Sequence, residues 1–400
     1  MNTISLSWRY LWSRPLAAGL NLLLLALGLA SITLLLLVSH QINAAFERDL
    51  AGIDVVVGAK GSPMQLILSG VFHLDVPTGN VPLAAIKTLQ THPQVAKLIP
   101  ISLGDSFRGH RIVGTTSSYI SHYQVSLAQG TLWTQPMQAV VGAQVAARTG
   151  LKVGDTFSGS HGLGGRGEVH GQTPYTVVGL LAASGSVLDR LVMTATESVW
   201  AVHETDTALD EEDQKILQAE REVTLALIQY KTPLAAVTFP RFINTTTEMQ
   251  AAAPALEITR LLSMIGVGTN VMKALSSVLL LTAALSVFIA LWSAVRERRA
   301  DLALLRMLGA PPRRVAGLLL CEALWLALVA TLLGLGAGQA LVVLMGWTLQ
   351  LEQSVLIGGL VWPAELAVVP VLALGVAVLS ALLPAWEAYR VSVFELLQSR

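Results

Sequence analysis

The chain has 400 residues, 53% of them hydrophobic and 13% charged, with a mean hydropathy of +0.60, too apolar for an ordinary soluble protein. Its 26 basic and 26 acidic residues cancel, so no overall field points to nucleic acid or to a polycationic partner. The single cysteine, Cys321, excludes an intrachain disulfide and sits in an apolar stretch, where it reads as a small buried hydrophobe.

In chain order, residues 1–15 put Ile4, Trp8, Leu11 and Trp12 on one helical side and Ser5, Arg9 and Ser13 on the other. That pattern predicts a short cytoplasmic helix lying on a membrane surface. Four stretches then reach the roughly 20 apolar residues that a helix needs to cross a hydrocarbon core: 16–38, 272–294, 315–345 and 362–383. The first holds no charge and no A-x-A site follows it, so it reads as an uncleaved anchor. Segment 39–271, between the first and second spans, is polar and mixed. β-branched runs at 54–57, 140–141 and 175–178 alternate with turns and helical stretches, predicting an α/β domain of one or two subdomains. Ile42, Phe46 and Leu50 carry a helical face beyond the first span, and Pro254 opens a helical run into the second, so the two extensions are expected to form a stalk. Gly266 and Gly268 read either as a hinge or as tolerated glycines, and the acidic run 204–222 as a solvated helix or linker.

Arginine placement orients the spans, because retained cytoplasmic loops carry excess Lys and Arg. Arg9 and Arg14 precede the first span, six arginines crowd the loop 295–314, and Arg390 and Arg400 lie in the tail 384–400, whereas the loop 346–361 has neither Lys nor Arg. Both termini and the loop 295–314 are therefore expected in the cytoplasm, with 39–271 outside. The fold class expected is an α-helical membrane domain of four transmembrane helices with a large mixed α/β extracytoplasmic domain inserted between helices 1 and 2.

Chemistry-bearing motifs are sparse. No G-x-x-x-x-G-K-[ST] loop occurs, so any ATP hydrolysis must come from a partner, and no catalytic residue and no cofactor is expected in this chain. The G-x-G-x-x-G match at 162–167 lacks a preceding strand and a following helix and reads as a loop; no G-x-S-x-G elbow is present. His161, Glu168 and His170 are the only metal candidates, at a spacing that matches no metal motif, and polar loop residues are the blander reading. Glu322, inside the third span, must face protein or water and is expected to bond a neighbouring helix or a cytoplasmic arginine. Gly334, Gly336 and Gly338 allow close helix approach, and Pro370 is a candidate kink in the fourth span.

The run Arg296-Glu297-Arg298-Arg299-Ala300-Asp301-Leu302-Ala303-Leu304-Leu305-Arg306-Met307-Leu308-Gly309-Ala310 resembles the loop signature of FtsX-like permeases, the group containing MacB and the lipoprotein-releasing LolC and LolE subunits. Further on, Glu322-Ala323-Leu324 with the spaced glycines is similar to the third helix of that family, and the run from Leu383 to Arg390 is similar to its P-A-x-x-A-x-R ending. The runs at 92–95, 140–142, 150–155 and 175–179 resemble the MacB core domain. Asp301 and Ala303 stand where the family usually has Glu and Gly. The resemblance implies that Asp301, Leu302, Ala303, Leu304, Leu305, Arg306, Leu308 and Gly309 form a coupling helix docking on a separate ABC ATPase, which holds the ATP and Mg. It also implies a second permease copy or paralogue, an inner-membrane location, and mechanotransmission serving export, extraction or lipoprotein handling, with a periplasmic adaptor or substrate-binding protein as a further partner class. Four helices and the small-residue face of the third span agree with a membrane dimer. The competing readings are an FtsX-like membrane regulator of an external enzyme and a metal-linked membrane protein.

Overall fold

The computed structural model describes residues 3–162, 173–204, 220–351 and 360–390. It divides into two units, one built from residues 1–42, 265–351 and 357–400 and the other from 43–264 and 352–356.

Among the described residues, the membrane unit holds four helices long and apolar enough to cross a bilayer. They lie in Pro15–Leu50, Pro254–Glu297, Pro312–Leu351 and Val368–Arg390, the last preceded by a 3-10 turn at Ala364–Ala367. Three of the helices overrun the lipid-length spans, and Pro254–Glu297 continues through Gly266 and Gly268 without a break. Pro370 falls in the first turn of its helix, where a proline removes no intrahelical bond, so it has no reason to kink the span; the interior proline is Pro384.

Short polar bridges register the spans against one another. The first and second are joined by Ser31 Oγ to Ser276 Oγ at 2.7 Å and by Ser286 Oγ donating to Asn21 Oδ1 at 2.6 Å. Ser380 of the fourth donates to the carbonyl of Ala284 in the second at 2.9 Å. A hydroxyl in an apolar span gains more from a neighbouring helix than from lipid, which offers it no partner.

The N-terminal helix Thr3–Leu11 divides its apolar side. Ser7 is fully buried, Trp8 meets Trp325 of the third span edge-on at 5.0 Å, and Trp325 Nε1 donates to the carbonyl of Ile4 at 3.4 Å. Ile4, Trp8 and Trp12 all keep exposed surface. The surface helix expected from periodicity is thus docked on the third span, because a tryptophan partner recruits part of the face that would otherwise meet lipid.

The extracytoplasmic unit is a mixed α/β domain on one eleven-stranded sheet, with a separate two-stranded ribbon at Val81–Pro82 and Glu222–Val223. The main path runs Met249–Ala252, Val55–Ala59, Leu225–Tyr230, Val95–Phe107, His110–Thr115, Val192–Ala195, Gln138–Val141, Tyr175–Leu181 and Leu127–Gly130. Val95–Phe107 is long enough to serve two half-sheets: its first part pairs antiparallel with Leu225–Tyr230 and its second with His110–Thr115. Beyond that strand, His110–Thr115 with Val192–Ala195 and Gln138–Val141 with Tyr175–Leu181 are parallel.

Period-two alternation sends Val56, Leu225 and Leu227 into one apolar cluster and Val55, Val57, Ala226 and Ile228 into another, so both faces of this half-sheet are covered. The helical extensions feed the first cluster: Phe46 packs edge-on to Phe72 at 5.1 Å, and Ile258 is buried in the same core. The acidic run expected to be a helix or linker lies largely outside the described residues, as do most of the glycine-rich loop and both Glu168 and His170.

Candidate functional site: the short helix after the second span and its anchor

The second spanning helix ends at Glu297, Arg298 breaks the helical run with φ −95° and ψ 16°, and a new helix runs from Arg299 to Met307. Its end is set by Gly309 at φ +94°, a left-handed conformation that costs glycine little. The amide of Gly309 then bonds the carbonyl of Arg306 at 3.0 Å and the amide of Ala310 bonds that of Leu305 at 3.0 Å. Pro312 opens the third spanning helix, so residues 308–311 form a tight return.

The nine-residue helix has two different faces. Leu302 and Ala303 are 3% and 4% exposed, packed inside the membrane unit, whereas Leu304 and Leu308 are 52% and 85% exposed, with Met307 beside them. Asp301 is also exposed, and Leu305 is half-buried. The eight residues expected to meet a partner therefore do not act alike. A helix lying against its own protein spends one face on that contact, and Leu302 and Ala303 supply it; the surface left open centres on Leu304 and Leu308.

Arg298 anchors the segment. Its Nη1 donates to Glu322 Oε1 at 3.2 Å, and its Nη2 donates to Ser13 Oγ at 2.7 Å and to the carbonyl of Tyr10 at 3.0 Å. The guanidinium carbon also lies 4.6 Å from the Tyr10 ring centroid, a favourable cation–π arrangement. One side chain thus ties the N-terminal segment, the end of the second spanning helix and the third span. Glu322 is 4% exposed, and this pairing accounts for an acid at that depth. Arg14 and Glu297 form a second ion pair alongside. Sequence reading places Arg298 only among a crowd of arginines; nothing local distinguishes it from Arg296 or Arg299, because its acceptors lie 24 and 285 residues away.

The spaced glycines of the third span are not equivalent either. A Cβ on Gly334 would lie 2.7 Å from Leu29 Cβ, and one on Gly338 would lie 2.5 Å from Thr33 Cγ2, whereas Gly336 faces open space. The close approach that the glycines permit is therefore made with the first span of the same chain. This corrects the expectation that the small-residue face of the third span receives a second copy: two of its three glycines are already occupied, and that face gives no argument for a dimer.

His161, the one described metal candidate, has its Nδ1 3.3 Å from Asp105 Oδ1. Among the described residues, no group of three or more His, Cys, Asp or Glu is arranged to hold a metal ion.

Four apolar spans, a mixed α/β domain inserted after the first, and a short arginine-flanked helix after the second define a multi-span membrane protein with one large inserted domain. Residues 18–232 match the model of the MacB-like periplasmic core domain and residues 273–393 that of the FtsX-like permease C-terminal domain. The chain belongs to the FtsX/MacB-like family of ABC transporter permeases. It is 26% identical over 194 residues to the pyoverdine export ATP-binding/permease protein PvdT of Pseudomonas aeruginosa, a match covering 46% of this chain and 28% of that protein. Among solved structures, the periplasmic region of MacB from Actinobacillus actinomycetemcomitans is similar at 11% identity and a TM-score of 0.35, over 54% of this chain and 95% of that one. The extracellular domain of the noncanonic ABC-type transporter YknZ from Gram-positive bacteria is similar at 10% identity and a TM-score of 0.31, over 49% and 98%.

Proposed function

We propose that this chain is the membrane subunit of an ATP-driven transporter, and that a separate ABC ATPase docks on the exposed side of the helix Arg299–Met307. The observation that carries the reading is the division of that helix: Leu302 and Ala303 seat it on the membrane unit while Leu304, Met307 and Leu308 stay open. An apolar ridge of this size beside Asp301 suits the groove of a protein partner. The arginine bias supports a cytoplasmic position for it and for both termini, with the inserted domain on the outer side of an inner membrane.

ATP and Mg belong to the partner in this reading, and the permease contributes movement instead of chemistry. The helices Pro15–Leu50 and Pro254–Glu297 each continue without interruption from a membrane-length span into residues of the outer domain. Continuous helices suit transmission of a mechanical displacement better than a jointed linker does. The working unit contains two permease copies or paralogues, and the substrate is handled on the outer side, by export, extraction or lipoprotein release. Export draws support from the Pseudomonas relative, a pyoverdine export protein.

The test is copurification of the ATPase with Leu308→Asp and Leu304→Asp permeases, with Arg241→Ala in the outer domain as control. Both leucines are exposed, so the permease fold survives. A carboxylate desolvated in a partner's groove costs about 3 kcal/mol, roughly a hundredfold in affinity. Loss of ATPase and of its substrate-stimulated hydrolysis is expected in both aspartate variants. Wild-type recovery in both sinks the docking site.

A further inference from the structure

The outer domain holds a small basic cavity that the transport mechanism above does not use. About 40 Å³ in volume, it is lined by His73, His110, Arg111, Gln144, Arg148 and Arg190 together with apolar neighbours. That is room for about three waters or one small oxyanion. Three guanidinium groups and two imidazoles face it, and no carboxylate is among its described lining residues.

Arg111 is the group that most needs explaining. It is 5% exposed, its Nη2 donates to the backbone carbonyl of Asp75 at 2.8 Å, and its Nη1 is buried without a hydrogen-bond partner. Burial pushes its pKa down to about 10, and the charge of Asp75 opposes the shift. At neutral pH the guanidinium therefore stays cationic in a poorly solvated place, with the charge of Asp75 as a partial counter-charge and Nη1 left without a hydrogen-bond partner.

The acids nearby have other tasks. Asp75 Oδ1 accepts from the amide of Val76 at 2.7 Å. Asp189 accepts from the amides of Ser184 and Gly185 at 3.1 and 2.7 Å, and Asp49 Oδ1 accepts from the amide of Val187 at 3.1 Å. Asp49 and Asp189 act on Arg190, on one side of the cavity, and neither is among the charges that act on Arg111.

His73 repeats the pattern. It is 7% exposed, its Nε2 bonds Tyr119 Oη at 2.9 Å, and its Nδ1 is buried without a partner. Its backbone is left-handed, φ 55°, a strain that a non-glycine residue keeps only when the surroundings impose it. Gln144 adds a third side chain whose polar atom, Oε1, is buried and unpartnered. Arg111 Nη1 and His73 Nδ1 are thus two buried nitrogens on one small cavity with bonding capacity to spare.

We propose that this cavity is a binding site for a phosphate-sized oxyanion, with Arg111 and Arg148 as its charge-bearing contacts and His73, in its neutral form, as a hydrogen-bond donor. The anion is either free or the terminal group of a larger solute on the outer side of the membrane. Arg148 is exposed and stands at the rim, so it is the entry contact, and Arg111 is the buried one.

Equilibrium dialysis of the full chain in detergent against radiolabelled inorganic phosphate, in chloride buffer of matched ionic strength, tests the site. A single saturable class of binding is expected, displaced by sulfate. Arg148→Gln, on an exposed residue, and Arg111→Lys, which keeps the charge but loses the planar fork, should each weaken binding about tenfold or more. Arg241→Gln, on an exposed helix elsewhere, should leave it unchanged. Glycerol phosphate as competitor separates the two sources: displacement shows that the terminal group of a larger solute enters, and failure to displace restricts the site to free anions. If Arg111→Lys fails to fold, Arg148→Gln decides. Absence of saturable binding, or wild-type binding by the Arg148→Gln chain, overturns the proposal.

Discussion

The two units of this protein treat an arginine withdrawn from solvent in opposite ways. In the membrane unit Arg298 meets an acid, a hydroxyl, a carbonyl and an aromatic face, and the acid it meets is itself buried. In the outer domain Arg111 meets one carbonyl and leaves a donor unused. Arg298 is the less buried of the two, with 14% of its side chain exposed, and yet the better satisfied. A buried charge whose neighbours fill its bonding capacity holds elements together, whereas one left short of partners is held in readiness for something else. The contrast explains why the depth of an ionisable group alone does not mark a ligand site.

Removing a partner from the satisfied cluster should give the largest effect. Glu322→Ala strands Arg298, and loss of one member of a buried pair costs roughly 3–5 kcal/mol. Denaturation of the full chain in detergent should show that loss, with Glu322→Gln milder because it keeps an acceptor. The double change Arg298→Met with Glu322→Leu should recover a good part of it. If Glu322→Ala unfolds at the wild-type midpoint, the pair is not the anchor described.

Next in size is the contact between the first and third spans. Gly338→Val places a Cβ about 2.5 Å from Thr33 Cγ2, and overpacking of this kind costs about 1–3 kcal/mol. Gly336→Val, in open space, should stay within about 0.5 kcal/mol. Equal effects of the two substitutions on the unfolding midpoint would show that the glycines do not discriminate between the first span and lipid.

The smallest effect is one of pH. Burial holds the His73 pKa well below 6.5, with Arg111 and Arg190 acting in the same direction. The unfolded chain therefore takes up a proton below about pH 6.5 that the folded chain refuses, and stability present above that pH is lost as pH falls toward the folded value. His110, lowered by burial and by Arg148, and His122, lowered by burial and by Lys97, add slopes of the same sign. Asp49, raised by burial, acts in more acidic solution and in the opposite sense: its folded form takes the proton first, so it gives stability back as the acid titrates. Between pH 6.5 and 5.5 the outer domain should lose up to about 1 kcal/mol per fully buried histidine. His73→Gln should flatten that part of the slope. An unchanged slope in this variant would show that His73 titrates normally.

Much of the architecture is legible in the sequence because lipid imposes long uninterrupted apolar runs, and the inserted domain announces itself by their absence. That Glu322 needs a partner also follows from its place in such a run. Which residue answers it does not follow, since Arg298 and Arg299 are adjacent and only the turn at Arg298 aims one of them at the third span. The same holds for Leu302 and Leu304, two apolar residues on one short helix whose opposite fates depend on a neighbour that the local pattern does not name. The basic cavity is less visible still. His73, Arg111, Arg148 and Arg190 are spread over more than a hundred residues, and parallel crossovers of the sheet bring them to one place.

The long strand Val95–Phe107 carries a consequence for how the outer domain holds together. Because its Val95–Ile101 portion pairs with Leu225–Tyr230 and its Ser102–Phe107 portion with His110–Thr115, one continuous backbone belongs to both half-sheets. A displacement of one half is thereby carried along this strand into the other. Phe46 and Ile258, which pack into the same core as Ile101 and Leu103 of this strand, are thereby tied to both half-sheets.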